Sequence, residues 1–266
     1  MTEKTLHHVE FGSGTPVLLL HGYTIDHRLM LPLEGAFAAR EGWRRLYVDL
    51  PGSGQSTRLA GPVTADAMGE AVLRFVDTTI GDEPFVVVGI SYGGMLARHV
   101  VAERGAQVLG TALIAPLVKP SGARSVPDRQ VLTVDDALLA SLDPADRDTF
   151  AAIAVHQDAV GWQAFRDHVL PGIRAHHRED AAELLKAYML SKTPETVFGT
   201  HQGRHLLVTG RQDHLVGWRD QVELLEHYPH MTYAAVDGAG HNVHLDQPAV
   251  VHGLLGSWLD AITGRD

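Results

Sequence analysis

The residues that most clearly suggest chemistry are a serine and its flanking glycines, in the sequence G-I-S-Y-G at residues 89–93. This G-x-S-x-G spacing occurs once in the chain. Between a strand and a helix it predicts a sharp turn that strains the serine backbone and exposes its hydroxyl for nucleophilic attack. Positions two before and two after the serine must then be small, which Gly89 and Gly93 satisfy, as does Gly94. A glycine-rich turn around an ordinary serine is the alternative interpretation.

A serine hydroxyl needs a general base to act as a nucleophile. The chain contains 17 histidines, so position has to select among them. His241 ends the sequence D-G-A-G-H at residues 237–241, directly after a predicted strand at 231–236, and its two glycines favour a loop that turns a side chain over the sheet edge. His244 is the rival, expected at the start of a turn or helix. His241 is therefore the predicted base.

The base in turn needs an acid that fixes its tautomer and stabilises the imidazolium. Asp213 follows a predicted strand at residues 205–209 and is the preferred candidate. Asp237, in the same tight loop as His241, and Asp246, expected to face solvent near the last helix, are alternatives. A carboxylate that caps the next helix is the ordinary interpretation of Asp213.

Acyl transfer also requires hydrogen-bond donors for the oxyanion. The backbone N–H of Tyr92, at the start of the helix after Ser91, is one predicted donor. The second is the backbone N–H of Tyr23, in H-G-Y at residues 21–23, although a plain turn is the preferred interpretation of this sequence taken alone. The glycine-rich residues 49–56 lack the G-x-x-x-x-G-K-[ST] pattern and are interpreted as a structural loop beside the site, without nucleotide binding.

Strand-like and helix-like segments alternate around these residues. The predicted strands are residues 6–11, 17–20, 45–50, 85–90, 108–115, 205–209 and 231–236. The predicted helices are residues 28–40, a segment that Thr64 caps and Gly81 ends, and residues 95–104, 218–227 and 247–262. This order implies an α/β fold with a mostly parallel, doubly wound sheet. Functional groups of such sheets lie just after the carboxyl ends of the strands.

Residues 118–203 have a different character, because short strand-like runs disappear and helical patterns replace them. The helix candidates are residues 146–155, 162–176 and 180–190, and a further helix start lies at residues 133–136. We interpret this segment as a helical insertion into a core formed by residues 1–117 and 204–266. Its apolar side chains are candidates for a pocket wall, although ordinary packing explains them equally well: Trp162, Phe165, Tyr188 and Met189.

Composition excludes several classes of function. The chain has 266 residues and a formal net charge of −10, which argues against binding to nucleic acid or anionic membranes. It has no cysteine, which removes disulfides and thiolate catalysis. No H-E-x-x-H motif is present, and neither a metal nor an organic cofactor is expected. Residues 1–10 are polar and the apolar runs are short, so a cytoplasmic protein with no membrane span is expected.

Taken together, these motifs resemble those of the α/β-hydrolase superfamily, in its lidded branch of small-molecule esterases and C–C bond hydrolases. The resemblance extends from about residue 6 to residue 262. The motifs occur in the family's order: H-G at 21–22, D-L-P-G-S-G at 49–54, G-I-S-Y-G at 89–93, G-R-Q-D at 210–213 and G-H at 240–241. Many members begin with a two-stranded hairpin, whereas one clear strand takes that place here.

The resemblance implies a catalytic triad of Ser91 as nucleophile, His241 as base and then acid, and Asp213 as the residue that orients it. It implies that the Tyr23 and Tyr92 amides form the oxyanion hole. The insertion at 118–203 would be a lid, placed after the strand that corresponds to the family's sixth and largely setting specificity. Members often dimerise, so a homodimer is also an expectation.

Three functions follow as hypotheses. The first is hydrolysis of a small carboxylic ester through an acyl-enzyme. The second is C–C bond cleavage in a dicarbonyl-type substrate by the same triad, for which Arg28, Arg124 and Arg166 are candidate partners of a substrate carboxylate. The third is a ligand-binding protein on the same fold with slow or no turnover. In each case the partner is a small molecule.

Overall fold

The structure is a computed structural model that describes residues 6–264. Residues 1–5 and 265–266, which the sequence assigns to the core, lie outside the described residues. The strands are β1 (His8–Phe11), β2 (Thr15–Leu20), β3 (Trp43–Val48), β4 (Phe85–Ile90), β5 (Val108–Ile114), β6 (Thr133–Val134), β7 (His156–Gln157), β8 (Arg204–Gly210) and β9 (Met231–Val236). The α-helices are α1 (Glu34–Phe37), α2 (Ala65–Phe75), α3 (Tyr92–Arg104), α4 (Asp136–Ser141), α5 (Pro144–Ile153), α6 (Ala159–His168), α7 (Leu170–Ala175), α8 (Arg178–Leu184), α9 (Glu195–Phe198), α10 (Val243–Asp246) and α11 (Pro248–Thr263).

Seven strands form one sheet in the order β1-β3-β2-β4-β5-β8-β9, and β6 pairs with β7 in a separate two-stranded sheet. In the seven-stranded sheet β1 is antiparallel to β3, and the other neighbouring pairs are parallel. The predicted α/β fold class is confirmed, and the ends of all seven predicted strands agree with the structure to within two residues. One antiparallel edge strand, β1, stands where many family members have a hairpin.

Apolar side chains cover both faces of this sheet, as expected for parallel strands buried between helices. Successive residues of β2 face opposite sides: Leu18 and Leu20 belong to the core that includes α2 and α3, whereas Val17 and Leu19 belong to the core that includes α11. Because both layers are buried, the carboxyl ends of the strands are fixed relative to one another.

Proline explains two predicted helices that the structure breaks up. Residues 28–40 contain two 3₁₀ turns, His27–Leu29 and Leu31–Leu33, followed by the four-residue α1. Pro32 lacks a backbone N–H and disfavours the helical conformation of the residue before it. The predicted helix at 162–176 likewise divides into α6 and α7 at Val169, two residues before Pro171. The predicted helix at 218–227 is instead a 3₁₀ helix, Asp220–Glu226.

The segment between β5 and β8 contains α4 to α9, and a buried ion pair attaches it to α3. Arg98 of α3 donates hydrogen bonds from Nε and Nη2 to the two carboxylate oxygens of Glu195, at 2.6 and 2.5 Å. These side chains are only 2% and 3% exposed. Arg98 also donates to the Leu117 carbonyl oxygen at 3.1 Å, and Tyr228 donates to Glu195 at 3.1 Å. One guanidinium therefore holds both ends of the segment close to the helix that follows Ser91.

Glu195→Ala should lower the free energy of unfolding by roughly 3–5 kcal/mol, because it leaves the Arg98 charge buried without a partner. Urea unfolding followed by circular dichroism measures this loss. The double variant Arg98→Met/Glu195→Leu should recover much of it, since no unpaired charge remains. Asp167→Asn, which breaks an exposed pair with Arg166, is the control and should leave the unfolding midpoint unchanged. A Glu195→Ala variant as stable as this control would contradict the assignment.

Candidate active site

Ser91 occupies the sharp turn between β4 and α3. Its backbone has φ 55° and ψ −116°, an unfavourable conformation for a residue with a side chain. Hydrogen bonds on both sides hold it: the Ser91 N–H donates to the Ile114 carbonyl at 3.0 Å, and the Leu117 N–H donates to the Ser91 carbonyl at 2.9 Å. The end of β5 therefore fixes the predicted nucleophile at the edge of the sheet.

The flanking glycines are required by close backbone approach, as the sequence predicts. A Cβ atom at Gly93 would lie 2.2 Å from the Leu20 carbonyl oxygen, and one at Gly89 would lie 2.4 Å from the Gly93 carbonyl oxygen. A Cβ atom at Gly94 would lie 2.7 Å from Pro116 Cβ. Helix α3 therefore packs directly on the ends of β2 and β4, and no other residue type fits these positions without displacing backbone.

The structure brings His241 and Asp213 together across 28 residues of sequence. His241 Nδ1 lies 2.8 Å from Asp213 Oδ2, and the side chains are 12% and 0% exposed. The other carboxylate oxygen, Oδ1, accepts hydrogen bonds from the backbone N–H groups of Leu215 and Val216, at 2.8 and 3.0 Å. Asp213 thus combines both predicted properties, because it caps the following turn and also binds the histidine.

The charge state of Asp213 determines the tautomer of His241. Burial alone would raise the Asp213 pKa, but the neighbouring His241 and the two backbone N–H groups outweigh it and hold the pKa below its usual value. An ionised carboxylate only accepts hydrogen bonds, so Nδ1 of His241 carries the proton and donates it. In the neutral imidazole, Nε2 is then free to accept a proton.

Close contact between the two loops explains how the pair forms. A Cβ atom at Gly210, the last residue of β8, would lie 2.1 Å from the Gly240 carbonyl oxygen. The Gln212 backbone N–H donates to the Ala239 carbonyl at 2.9 Å, and the Ala239 N–H donates to the Gln212 side-chain oxygen at 3.1 Å. These bonds place the loop before His241 against the loop that carries Asp213.

The rival residues have other partners. His244 is fully buried, its Nε2 donates to the Leu29 carbonyl at 3.0 Å, and burial lowers its pKa to about 3. Asp237 accepts a hydrogen bond from the Gln212 amide at 2.9 Å. The expectation that Asp246 faces solvent is wrong: it is half-buried and accepts from the Gly240 N–H at 2.8 Å, and burial raises its pKa to about 6. It supports the loop that carries His241.

The residues of the two predicted oxyanion donors both lie close to Ser91. Tyr92 directly follows it at the first position of α3, where helix N–H groups lack partners within the helix. A Cβ atom at Gly22, the residue before Tyr23, would lie 3.4 Å from Ser91 Cβ. Among residues 6–264, neither the Tyr23 nor the Tyr92 backbone N–H donates a hydrogen bond to another protein group.

His21 orients the Tyr23 amide, a role that the sequence analysis missed. Its Nε2 accepts from the Leu50 backbone N–H at 2.9 Å, and its Nδ1 donates to the Gly22 carbonyl at 2.7 Å. Burial lowers the His21 pKa, so the ring stays neutral. Because a trans peptide is planar, the carbonyl of Gly22 and the N–H of Tyr23 point in opposite directions. The hydrogen bond that fixes the Gly22 carbonyl therefore also fixes the direction of the Tyr23 N–H.

Hydrogen bonds to Asp49 hold the loop at residues 49–56 in place. The buried carboxylate of Asp49 accepts hydrogen bonds from the Gln55 and His27 backbone N–H groups, at 3.0 and 2.9 Å. Its oxygens also lie 2.7 Å from His7 Nδ1 and 2.8 Å from His27 Nδ1. These three side chains form a group of the kind that holds metal ions, and their mutual hydrogen bonds already account for their positions.

Ser91 and His241 line one cavity of about 280 Å³, near the lower end of the usual size range for small-molecule sites. The segment between β5 and β8 contributes much of its wall, namely Arg124, Ile153, Val169, Ile173 and Tyr188. Of the four apolar candidates in that segment, Tyr188 lines this cavity, whereas Trp162 and Phe165 pack against Phe150.

Residues 17–254 match the model of the alpha/beta hydrolase family. The chain belongs to this family. A curated relative, the lipase LipV of Mycobacterium tuberculosis, is 39% identical over 150 residues, which cover 53% of this chain and 52% of the lipase. The chain thus spans about half the length of that relative.

Solved structures show the same fold over nearly the whole length of this chain. An alpha/beta superfamily hydrolase from Oenococcus oeni PSU-1 superposes with a TM-score of 0.88 at 24% identity, covering 99% of this chain and 100% of the other. An esterase from Exiguobacterium antarcticum gives a TM-score of 0.70 at 17% identity, covering 96% and 95%. At these identities the likeness concerns the fold.

Within residues 6–264, no helix has the length and apolar character needed to cross a membrane.

Gly93→Ala should both destabilise the protein, by about 1–3 kcal/mol, and disable the site, because the added methyl group would displace α3 from β2. The matched control is Gly253→Ala in α11, where a Cβ atom meets nothing within 4 Å. The control should be neutral or more stable by up to about 1 kcal/mol, since alanine favours a helix. Urea unfolding and ester turnover measure both effects. A Gly93→Ala variant indistinguishable from the control would contradict the packing described.

Proposed function

We propose that this hydrolase cleaves small-molecule carboxylic esters through an acyl-enzyme, with Ser91 as nucleophile, His241 as general base and acid, and Asp213 as the residue that orients it. The observation that carries the proposal is that strained Ser91 and His241 line the same largely apolar cavity, while buried Asp213 holds His241 from behind. Names of relatives agree with it, since a lipase and an esterase are among them.

The first half of the reaction transfers the acyl group to the enzyme. Nε2 of His241 takes the hydroxyl proton of Ser91 while Oγ attacks the ester carbonyl carbon. The negative charge that develops on the carbonyl oxygen is held by the Tyr23 and Tyr92 N–H groups, which have no protein acceptor among the described residues. The intermediate then collapses, the C–O bond breaks, and His241 returns the proton to the departing alkoxide.

The second half repeats these steps with water. His241 removes a proton from water, the hydroxide attacks the acyl carbon, and the Ser91 oxygen leaves and regains its proton from His241. Buried Asp213 stabilises the imidazolium in both halves, because its carboxylate remains ionised at neutral pH. The acid product and the free enzyme result.

We further propose that residues 118–203 form a lid over a core made of residues 1–117 and 204–266. The contribution of this segment to the cavity wall supports the assignment. So do its contacts with the core: the His177 N–H donates to the Gly52 carbonyl at 3.2 Å, and the Tyr23 hydroxyl donates to the Ala181 carbonyl at 2.8 Å. A covered cavity of this size suits a small substrate rather than a polymer.

C–C bond cleavage of a dicarbonyl-type substrate by the same three residues is the second candidate. Such a substrate carries a carboxylate, and one of the three arginines considered from the sequence, Arg124, lines the cavity. A ligand-binding protein with slow turnover is the third candidate, and the turnover number separates it from both enzymes.

Ser91→Ala should reduce kcat/KM for p-nitrophenyl esters by at least about 10⁴-fold, because no other group can form the acyl-enzyme. The series from acetate to laurate, followed by p-nitrophenolate release, also measures the length of acyl chain that the cavity admits. Ser121→Ala changes an exposed serine outside the cavity lining and should keep wild-type rates. Equal activity in Ser91→Ala and wild type would overturn the proposal, and so would a wild-type protein inert on every ester.

A further inference from the structure

The cavity that contains Ser91 has an unbalanced charge. Among the described residues that line it, Arg124 is the one with a permanent charge, and no Asp or Glu is present. The phenol groups of Tyr23 and Tyr188 do not offset this charge, because burial raises their pKa values above the usual range and keeps them neutral. The lining is therefore apolar apart from one cation, His241 and a few uncharged polar groups.

Backbone carbonyls hold Arg124 in place but do not neutralise it. Its Nε donates to the Lys119 carbonyl at 2.9 Å, and its Nη1 donates to the Leu215 carbonyl at 2.9 Å. A guanidinium has five N–H donors, so three of them have no protein acceptor among residues 6–264. They belong to Nη1 and Nη2, the edge that binds a carboxylate with two parallel hydrogen bonds.

The other two arginines considered from the sequence already have carboxylate partners. Arg28 donates to both carboxylate oxygens of Asp26, at 3.0 and 2.5 Å. Arg166 pairs with Asp167 at 2.8 Å on an exposed surface. Arg124, in contrast, forms no ion pair with any acidic side chain in the part of the chain that the structure describes. Only this arginine combines a place in the cavity wall with donors that remain free.

We propose that Arg124 binds a carboxylate of the substrate, so that the natural substrates are esters that carry a free carboxylate, such as monoesters of dicarboxylic acids. This inference rests on the proposed ester hydrolysis. A half-buried cation without a counter-ion gains more from a carboxylate than from a neutral group. The chain as a whole has a net charge of −10, so a local cation favours the entry of an anionic substrate.

The test compares two substrates that differ in charge but hardly in shape, monoethyl adipate and its neutral amide isostere, ethyl 5-carbamoylpentanoate. Proton release in a pH-stat at constant ionic strength gives kcat/KM for each. The measured quantity is the charged-to-neutral ratio of these values, in wild type, Arg124→Gln, Arg124→Lys and Arg166→Gln. General damage to the site changes kcat/KM for both substrates by the same factor, so it cancels in this ratio.

In wild type the ratio should exceed one. Arg124→Gln should lower it by about 10- to 100-fold, mainly through KM for the charged ester, as expected for loss of a charge-assisted hydrogen-bonded pair. Arg124→Lys should retain part of the preference, because it keeps the charge and loses the planar edge. Arg166→Gln should leave the ratio at the wild-type value. Other monoethyl esters, from succinate to suberate, then measure the spacing between the ester and the carboxylate.

A ratio of one or below in wild type, or one that Arg124→Gln leaves unchanged while both esters are hydrolysed, overturns the role of Arg124 and leaves ester hydrolysis standing. A wild-type protein that hydrolyses neither these esters nor any p-nitrophenyl ester overturns the proposed function itself. The two failures are therefore distinguishable in one set of assays.

Discussion

The close approach of helix α3 to the end of strand β2 is the constraint on which the rest of the site depends. At Gly93 the gap to the Leu20 carbonyl oxygen is too small for a side chain. This contact forces the chain through the strained turn at Ser91 and places that residue beside Gly22. The residues of both candidate oxyanion amides therefore lie close to Ser91, since Tyr92 follows it directly and Tyr23 lines the same cavity. A strained backbone such as that of Ser91 persists only where the surrounding structure holds it in place. Here the two buried core layers on the faces of the sheet provide that support.

Two buried carboxylates organise the loops that extend from this rigid edge. Asp49 holds residues 49–56 and lies next to the backbone that binds His21, and Asp213 holds the turn after β8 and binds His241. Burial would favour the protonated forms of both, but backbone N–H groups and histidines outweigh it, so the pKa of each carboxyl is held below its usual value. Such saturation with hydrogen bonds is what allows a charge to remain in a protein interior. Asp49 and Asp213 therefore stabilise their loops and also position the residues of the candidate site.

Most of the sheet, the contact of Asp213 with His241 and the shared cavity of Ser91 and His241 could be predicted from the sequence. Buried parallel strands are short apolar runs, and the residues that follow them must meet at one edge. The G-x-S-x-G spacing has a steric cause, because a side chain at either glycine would clash with nearby backbone. The structure shows this close approach at Gly89 and Gly93. Helix ends were less predictable. The spacing of apolar residues continues through Pro32 and Pro171, whereas the helices are interrupted there.

Several other contacts between distant segments could not be predicted. The burial of Asp246, the buried pair of Arg98 with Glu195 and the orienting role of His21 depend on which loops meet, and no local pattern encodes that. Arg124 is the clearest case, since the sequence offered three arginines on equal terms. Spacing could have suggested the partner of Arg28, because Asp26 is only two residues away. Arg124 differs from Arg166 by its place in the cavity wall and by the absence of a carboxylate partner among residues 6–264.

The proposed activity depends on Ser91 as the nucleophile. The most direct measurement is to treat the intact protein with a fluorophosphonate at neutral pH and to map the modified peptide by mass spectrometry. A phosphonyl adduct on Ser91 alone, formed much more slowly in His241→Ala, is the predicted result. An adduct on another residue, or none on Ser91 in a folded protein, would contradict the account.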